Sequence, residues 1–168
     1  AIGASNTSTD DLDAYLAAGQ LDCLQEEYSM IKRDIEGTLL PACIENGVSM
    51  LSYSSLALGL LAGKIGPDRT FDGDDLRKDN PRFSISNREK ITAMMAEIAP
   101  VSNAHNATTA QTIIAWTLQQ PGITFSLCGA RNPDQARDNA GAGRVELSPG
   151  DIARIDAAAA KHLTNLDA

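Results

Sequence analysis

Short apolar strands alternate with amphipathic helices along this chain, and that alternation restricts it to few architectures. Apolar runs predict strands over 1–4, 22–25, 48–53 and 123–128. A helix is expected over 9–18, with Gly19 past its end, and another over about 38–46, closed by Gly47. Ile91, Met94, Met95 and Ile98 recur at helical spacing, and Pro100 predicts a kink or interruption of their helix. Thr108 with Gln111 opens a helix to about 119. A further helix is expected over 133–140, and Ser148-Pro149-Gly150-Asp151 opens a last, alanine-rich one. The polar stretch 64–86 has little periodicity and is expected to form a long ordered loop over one end of a single domain spanning 1–168. The order β(αβ)3α plus extra helices implies a parallel sheet with helices outside it. Right-handed crossovers leave an open doubly wound sheet or part of a (β/α)8 barrel. Both folds bind ligands at the C-terminal ends of their strands.

Composition narrows the function. A net charge of −8 argues against a nucleic-acid partner, which requires clustered Lys and Arg. No apolar run approaches the roughly 20 residues of a membrane span. Cys23, Cys43 and Cys128 lack metal-ligand spacing and fall in expected strands or a helix, so they are expected to be buried, inert thiols. A reducing, cytoplasmic setting follows as the simple expectation. The acidic run 72–75 is expected to be a solvated loop, since no histidine or spaced carboxylate completes a metal site.

The richest local signal is Leu127-Cys128-Gly129-Ala130-Arg131-Asn132-Pro133-Asp134-Gln135. A strand ends, glycine turns the chain, and a helix begins. Asn132 suits the N-cap, Pro133 the first helical position, and Gln135 completes an Asn-x-x-Gln capping pattern. A helix start offers free N–H groups and partial positive charge, and Arg131 adds a fork that grips phosphate. Other ligand-type residues cluster at expected strand ends: Ser5 and Asn6, Gln25, and Tyr53 with Ser54. Each has a bland alternative. Ser5 and Asn6 are common turn residues, Tyr53 could be a core aromatic, and Arg131 a surface side chain.

Four segments together resemble the aldo-keto reductase family over nearly the whole chain. Ile2-Gly3-Ala4-Ser5-Asn6 is similar to the family's Gly-x-Ser-Asn strand end. Leu24-Gln25-Glu26-Glu27-Tyr28-Ser29 resembles its Gln-x-x-Tyr-Ser/Asn segment. The stretch from Tyr53-Ser54-Ser55-Leu56 to Gly63-Lys64 looks like its Tyr-Ser-Pro-Leu loop and following Gly-Lys. Residues 129–139 resemble its Gly-Ala-Arg, Gln and Asn segment. The resemblance implies that the chain is the second half of a TIM (β/α)8 barrel, from the fifth strand onward, in a protein that reduces aldehydes and ketones with NADPH.

By the same resemblance, Ser5, Asn6 and Gln25 would hold the nicotinamide carboxamide and Tyr53 would stack on its ring. Ser54, Leu56, Gly59 and Lys64 would lie along the pyrophosphate. Gly129 and Arg131 would form the 2′-phosphate site, with Gln135 and Asn139 toward adenosine and Arg77 joining from the loop. Two positions depart from the pattern: Ser55, and often Cys128, stand where the family has proline. The family's catalytic Asp, Tyr, Lys and His have no counterpart here, so this chain alone is expected to be inactive. A non-catalytic NADP(H)-binding or redox-sensing module is the alternative. Unpaired edges at the first and last strands further imply pairing with a missing N-terminal half or a second copy.

Overall fold

The structure, a computed structural model, describes residues 1–167. Its elements fall into two compact units. The first comprises Ala1–Ser55 and Trp116–Gly129, the second Leu56–Ala115 and the chain from Ala130 onward.

The first unit holds a parallel sheet of β1 (Gly3–Ser5), β2 (Cys23–Glu27), β3 (Ser49–Tyr53) and β4 (Ile123–Ser126), in that order. Its crossovers include α1 (Thr9–Ala18) and α2 (Leu39–Asn46). Ser8 caps α1 in a full capping box with Asp11, and Gly47 ends α2 in the left-handed conformation that glycine tolerates. Strand alternation sorts the side chains. Leu24, Met50 and Ser52 are buried on one face, whereas Ser5, Gln25 and Leu51 share the other through the registers Ser5↔Gln25 and Gln25↔Leu51. Tyr28 stacks on Trp116 at 6.3 Å, and both rings are fully buried. Arg33 lies over the same Trp116 ring at 5.1 Å.

The second unit is helical: α3 (Ile85–Ala104), the start of α4 (Thr109–Leu118), α5 (Pro133–Gly141) and α6 (Pro149–His162). Here α3 packs on α6, burying Ile91, Met94 and Ile98 together with Ile155, Ala158 and Ala159. Thr108 and Gln111 exchange the reciprocal bonds of a capping box at the start of α4.

Several expectations need correction. Pro100 does not interrupt α3, which runs four residues beyond it. A proline removes one backbone donor, and the buried Val101 and Ser102 keep the last turn packed. Gln25 lies at the middle of β2 rather than at its end. Cys128 falls beyond β4, and only Cys43 is buried; Cys23 and Cys128 are partly exposed. The stretch 64–86 contains a 3-10 turn, Pro81–Phe83, and the first residues of α3. No helix among the described residues is long and apolar enough to cross a membrane.

Candidate functional site

In the first unit, the ends of β1 and β3 meet. The Ser5 hydroxyl donates to the Gln25 carbonyl at 2.8 Å, and the Asn6 N–H donates to the same oxygen at 3.2 Å. Asn6 adopts φ 57°, a left-handed conformation that asparagine enters more readily than most residues. That turn brings its side-chain oxygen to the Tyr53 hydroxyl, which donates at 2.7 Å. Tyr53 thus carries a fixed polar contact at the strand end and is only partly buried, unlike Tyr28 and Trp116. The following residue, Ser54, is also left-handed, at φ 57°. Ser5, Asn6 and Tyr53 are therefore brought together at the strand ends, with a hydroxyl, an amide and a phenol, and Gln25 joins them through its main-chain carbonyl. That donor and acceptor set fits a carboxamide on a flat heteroaromatic ring.

Two supporting residues escaped the sequence. Glu26 is buried, and its carboxylate accepts from the Thr7 N–H at 2.7 Å and the Thr7 hydroxyl at 2.8 Å, pinning the turn just after Asn6. Its signal was a charge at an inward position of an alternating strand. Ser126 pairs in register with Ser52. Its hydroxyl donates to Ser55 Oγ at 2.8 Å and lies 3.5 Å from Cys128 Sγ, while Ser55 is also 3.2 Å from Ser52 Oγ. The two departures from the family pattern, Ser55 and Cys128, are thereby linked through one hydroxyl. Burial pushes the Cys128 thiol up despite its contact with Ser126, and burial with the Glu26 charge pushes Cys43 up to about 11. Thiols so shifted are poor nucleophiles at neutral pH. Gly129, exposed, closes this unit.

The second unit holds the remaining residues. After Leu56 come three left-handed residues, Ala57 (φ 47°), Leu58 (φ 56°) and Gly59 (φ 88°), and the Gly59 N–H donates to the Leu56 carbonyl at 2.9 Å. Strain of this kind at non-glycine residues collects at functional sites. Lys64 is exposed. In the loop, the Arg77 Nε donates to Asp75 Oδ1 at 2.8 Å, its Nη2 donates to Oδ2, and its backbone N–H donates to Oδ1 at 3.0 Å. The Arg77 guanidinium lies 4.8 Å from the centre of the Phe71 ring, which meets Phe83 edge-on at 5.5 Å. Buried Arg88 donates to the carbonyls of Gly66 at 3.0 Å and Arg69 at 2.6 Å and lies 5.7 Å from Phe71. The expectation of a solvated acidic run holds for residues 72–74, which are exposed, but not for Asp75, which is half-buried against Arg77. Phe71 and Arg88 are not singled out by the sequence, because a loop without periodicity gives no cue to what it folds around.

At the start of α5, Asn132 caps as expected: its side chain accepts from the Gln135 N–H at 2.9 Å. The Gln135 side chain departs from the capping pattern. It accepts from the Arg131 N–H at 2.8 Å instead of returning to the N-cap residue. Gln135 thereby fixes the backbone of Arg131, whose side chain is exposed. Asn139 lies half-buried in the last turns of the same helix. The chain's two histidines lie elsewhere in this unit: His105 is 3.1 Å from Asp151 and His162 is 2.8 Å from Glu97.

A parallel sheet in an α/β fold, with amide, phenol and hydroxyl groups at its strand ends, sets a polar cluster where such folds hold their ligands. The profile of the Aldo/keto reductase family matches residues 1–160, and the chain belongs to that family. It is 36% identical over 151 residues to the NADH-specific methylglyoxal reductase of Escherichia coli, covering 90% of this chain and 46% of that protein. It is 33% identical over 136 residues to an aldo-keto reductase of Bacillus subtilis, covering 80% and 41%. It superposes on the structure of a glycerol dehydrogenase from Gluconobacter oxydans with a TM-score of 0.91 and 30% identity, covering 98% of this chain and 50% of that one. The fold is accordingly similar to that of aldo-keto reductases, which are oxidoreductases using nicotinamide cofactors and small carbonyl substrates. The chain spans about half the length of the relatives it matches.

Proposed function

We propose that this chain supplies the cofactor-binding part of an NADPH-dependent reductase of aldehydes and ketones. The observation that carries this is the joined group Ser5, Asn6 and Tyr53, tied to the main chain of Gln25. Asn6 and Ser5 bind the carboxamide, with Gln25 beside them, and the Tyr53 ring lies along the nicotinamide face. Ser54, Leu56, Gly59 and Lys64 run beside the pyrophosphate, with Gly129 leaving room at the turn. Arg131 takes the 2′-phosphate, Arg77 joins from the loop, and Gln135 and Asn139 serve the adenosine end. The bound dinucleotide supplies the hydride. Carbonyl reduction also needs a proton donor. The family's Asp, Tyr, Lys and His have no counterpart in this chain by its resemblance to the family. His105 and His162 are paired with carboxylates on other helices. The chain by itself therefore binds the cofactor without turning over a carbonyl.

Nicotinamide fluorescence titrations test the assignment. Arg131→Ala weakens NADPH by about tenfold, the scale of one charge-assisted bond to phosphate, and NADH by less than about twofold. Equal losses for the two cofactors overturn the 2′-phosphate role.

Within the sheet, β1 and β4 each offer an edge to further strands, from a complementary half or a second copy of this chain.

A further inference from the structure

The loop of the second unit holds an anion against one of the arginines assigned to the cofactor. Asp75 receives three hydrogen bonds from Arg77, from its backbone N–H, Nε and Nη2. The side chains of both residues are mostly buried, Arg77 at 18% exposure and Asp75 at 27%. The guanidinium is not free to turn away. It lies on Phe71, which Phe83 meets edge-on, and Arg88 ties the backbone on the near side of Phe71 at Gly66 and Arg69. Its Nε/Nη2 edge, the edge best shaped for a bidentate oxyanion, is therefore held against the loop's own carboxylate.

Resting on the dinucleotide assignment above, we propose that Asp75 is a specificity-determining residue that occupies the Arg77 fork in place of an adenosine 2′-phosphate and so favours the unphosphorylated dinucleotide. A phosphate entering this fork must displace a carboxylate of the same sign, and any carboxylate that stays nearby repels it. A ribose 2′,3′-diol meets the opposite situation, since its hydroxyls donate and a carboxylate accepts. Hydrogen bonds from Arg77, with a smaller contribution from the charge of Arg131, hold Asp75 down to about 2. It is therefore an anion throughout the neutral range, within the field of both arginines. Arg131 pulls toward the phosphorylated cofactor and Asp75 away from it, which narrows the preference between the two forms.

Calorimetric titration of the chain with 2′,5′-ADP and with 5′-AMP reads the two effects separately. Asp75→Asn tightens 2′,5′-ADP about five- to tenfold and leaves 5′-AMP within about twofold or weaker. Asp75→Glu, which keeps the charge, retains the ratio of the unaltered chain. A ratio that is unchanged or lowered in Asp75→Asn overturns the proposal. Loss of the ratio in Asp75→Glu as well as in Asp75→Asn also overturns it, because the side chain would then serve only the loop's shape. Arg131→Ala separates this failure from that of the underlying assignment. Selective weakening of 2′,5′-ADP by Arg131→Ala, with no response to Asp75→Asn, removes Asp75 alone. Equal binding of both ligands before and after Arg131→Ala removes the 2′-phosphate site, and Asp75's role with it.

Discussion

Serine and cysteine stand at Ser55 and Cys128, where the family pattern carries proline, and the structure shows what replaces the rigidity of that ring. Proline fixes φ and removes an N–H; serine restricts neither. Here the turn after β3 is held by hydroxyls: Ser126 donates to Ser55, and Ser55 lies against Ser52. Ser52 and Ser55 are fully buried; the Ser55 oxygen depends on Ser52 and Ser126, and the Ser52 hydroxyl also reaches the Phe125 carbonyl at 3.2 Å. Ser126→Ala leaves Ser55 with Ser52 alone and costs about 1–2 kcal/mol, measured as a lowered urea midpoint at unchanged slope. A midpoint equal to that of the unaltered chain shows that the bridge contributes nothing. Residues at this scale were legible in the sequence where the backbone itself marks them. Ser5, Asn6 and Tyr53 end strands, and Asn132 begins a helix. Ser126 and Glu26 were not, because each acts through a partner far along the chain, and Asp75 reads as solvated because its run is acidic while the fold of its loop turns it onto Arg77.

At the scale of elements, capping decides where helices begin. Ser148 and Asp151 form the box at the start of α6, and Asp151 is also 3.1 Å from His105 at the end of α3. One carboxylate therefore closes α6 and joins it to α3. Hydrogen bonds from Ser148, then from His105, hold Asp151 down to about 2, below its ordinary 3.8. A carboxylate depressed in the folded state stabilises it above the ordinary value, and that contribution is lost as pH falls from about 4 to about 2. Asp151→Asn lowers stability at pH 7 and flattens the fall in stability between pH 4 and 2, as followed by urea unfolding at each pH. An unchanged slope in that window assigns acid lability to other carboxylates. The caps were readable because Ser-Pro-Gly-Asp and Thr-x-x-Gln state them locally, and α1 and Gly47 followed the same rules. Pro100 does not interrupt α3, because a helix packed on both sides of one missing bond continues past it. Gln25 was set at a strand end because two acidic residues, Glu26 and Glu27, hid the last part of β2.

At the scale of the molecule, alternation of strand and helix implied a parallel sheet but left its strand order open between a doubly wound sheet and part of a barrel; the sequential order β1-β2-β3-β4 is the barrel's. The alternation said nothing of the chain's grouping into two compact units, which depends on contacts distant in sequence. Within the first unit, β1 and β4 each have one neighbour among the described residues. The face shared by Gln25 and Leu51 continues to Phe125, their neighbour on β4 through the register Leu51↔Phe125. Phe125 is 56% exposed. An edge strand with an exposed aromatic, next to a half-covered face, pairs readily with another chain. The isolated 17.8 kDa chain is therefore expected to sediment as a larger, concentration-dependent species. Phe125→Lys puts a charge on that edge without touching Ser5, Asn6 or Tyr53, and shifts the distribution toward monomer while cofactor titration is retained. A monodisperse monomer of the unaltered chain across the micromolar range overturns the expectation, because the sheet would then be stable with both edges bare.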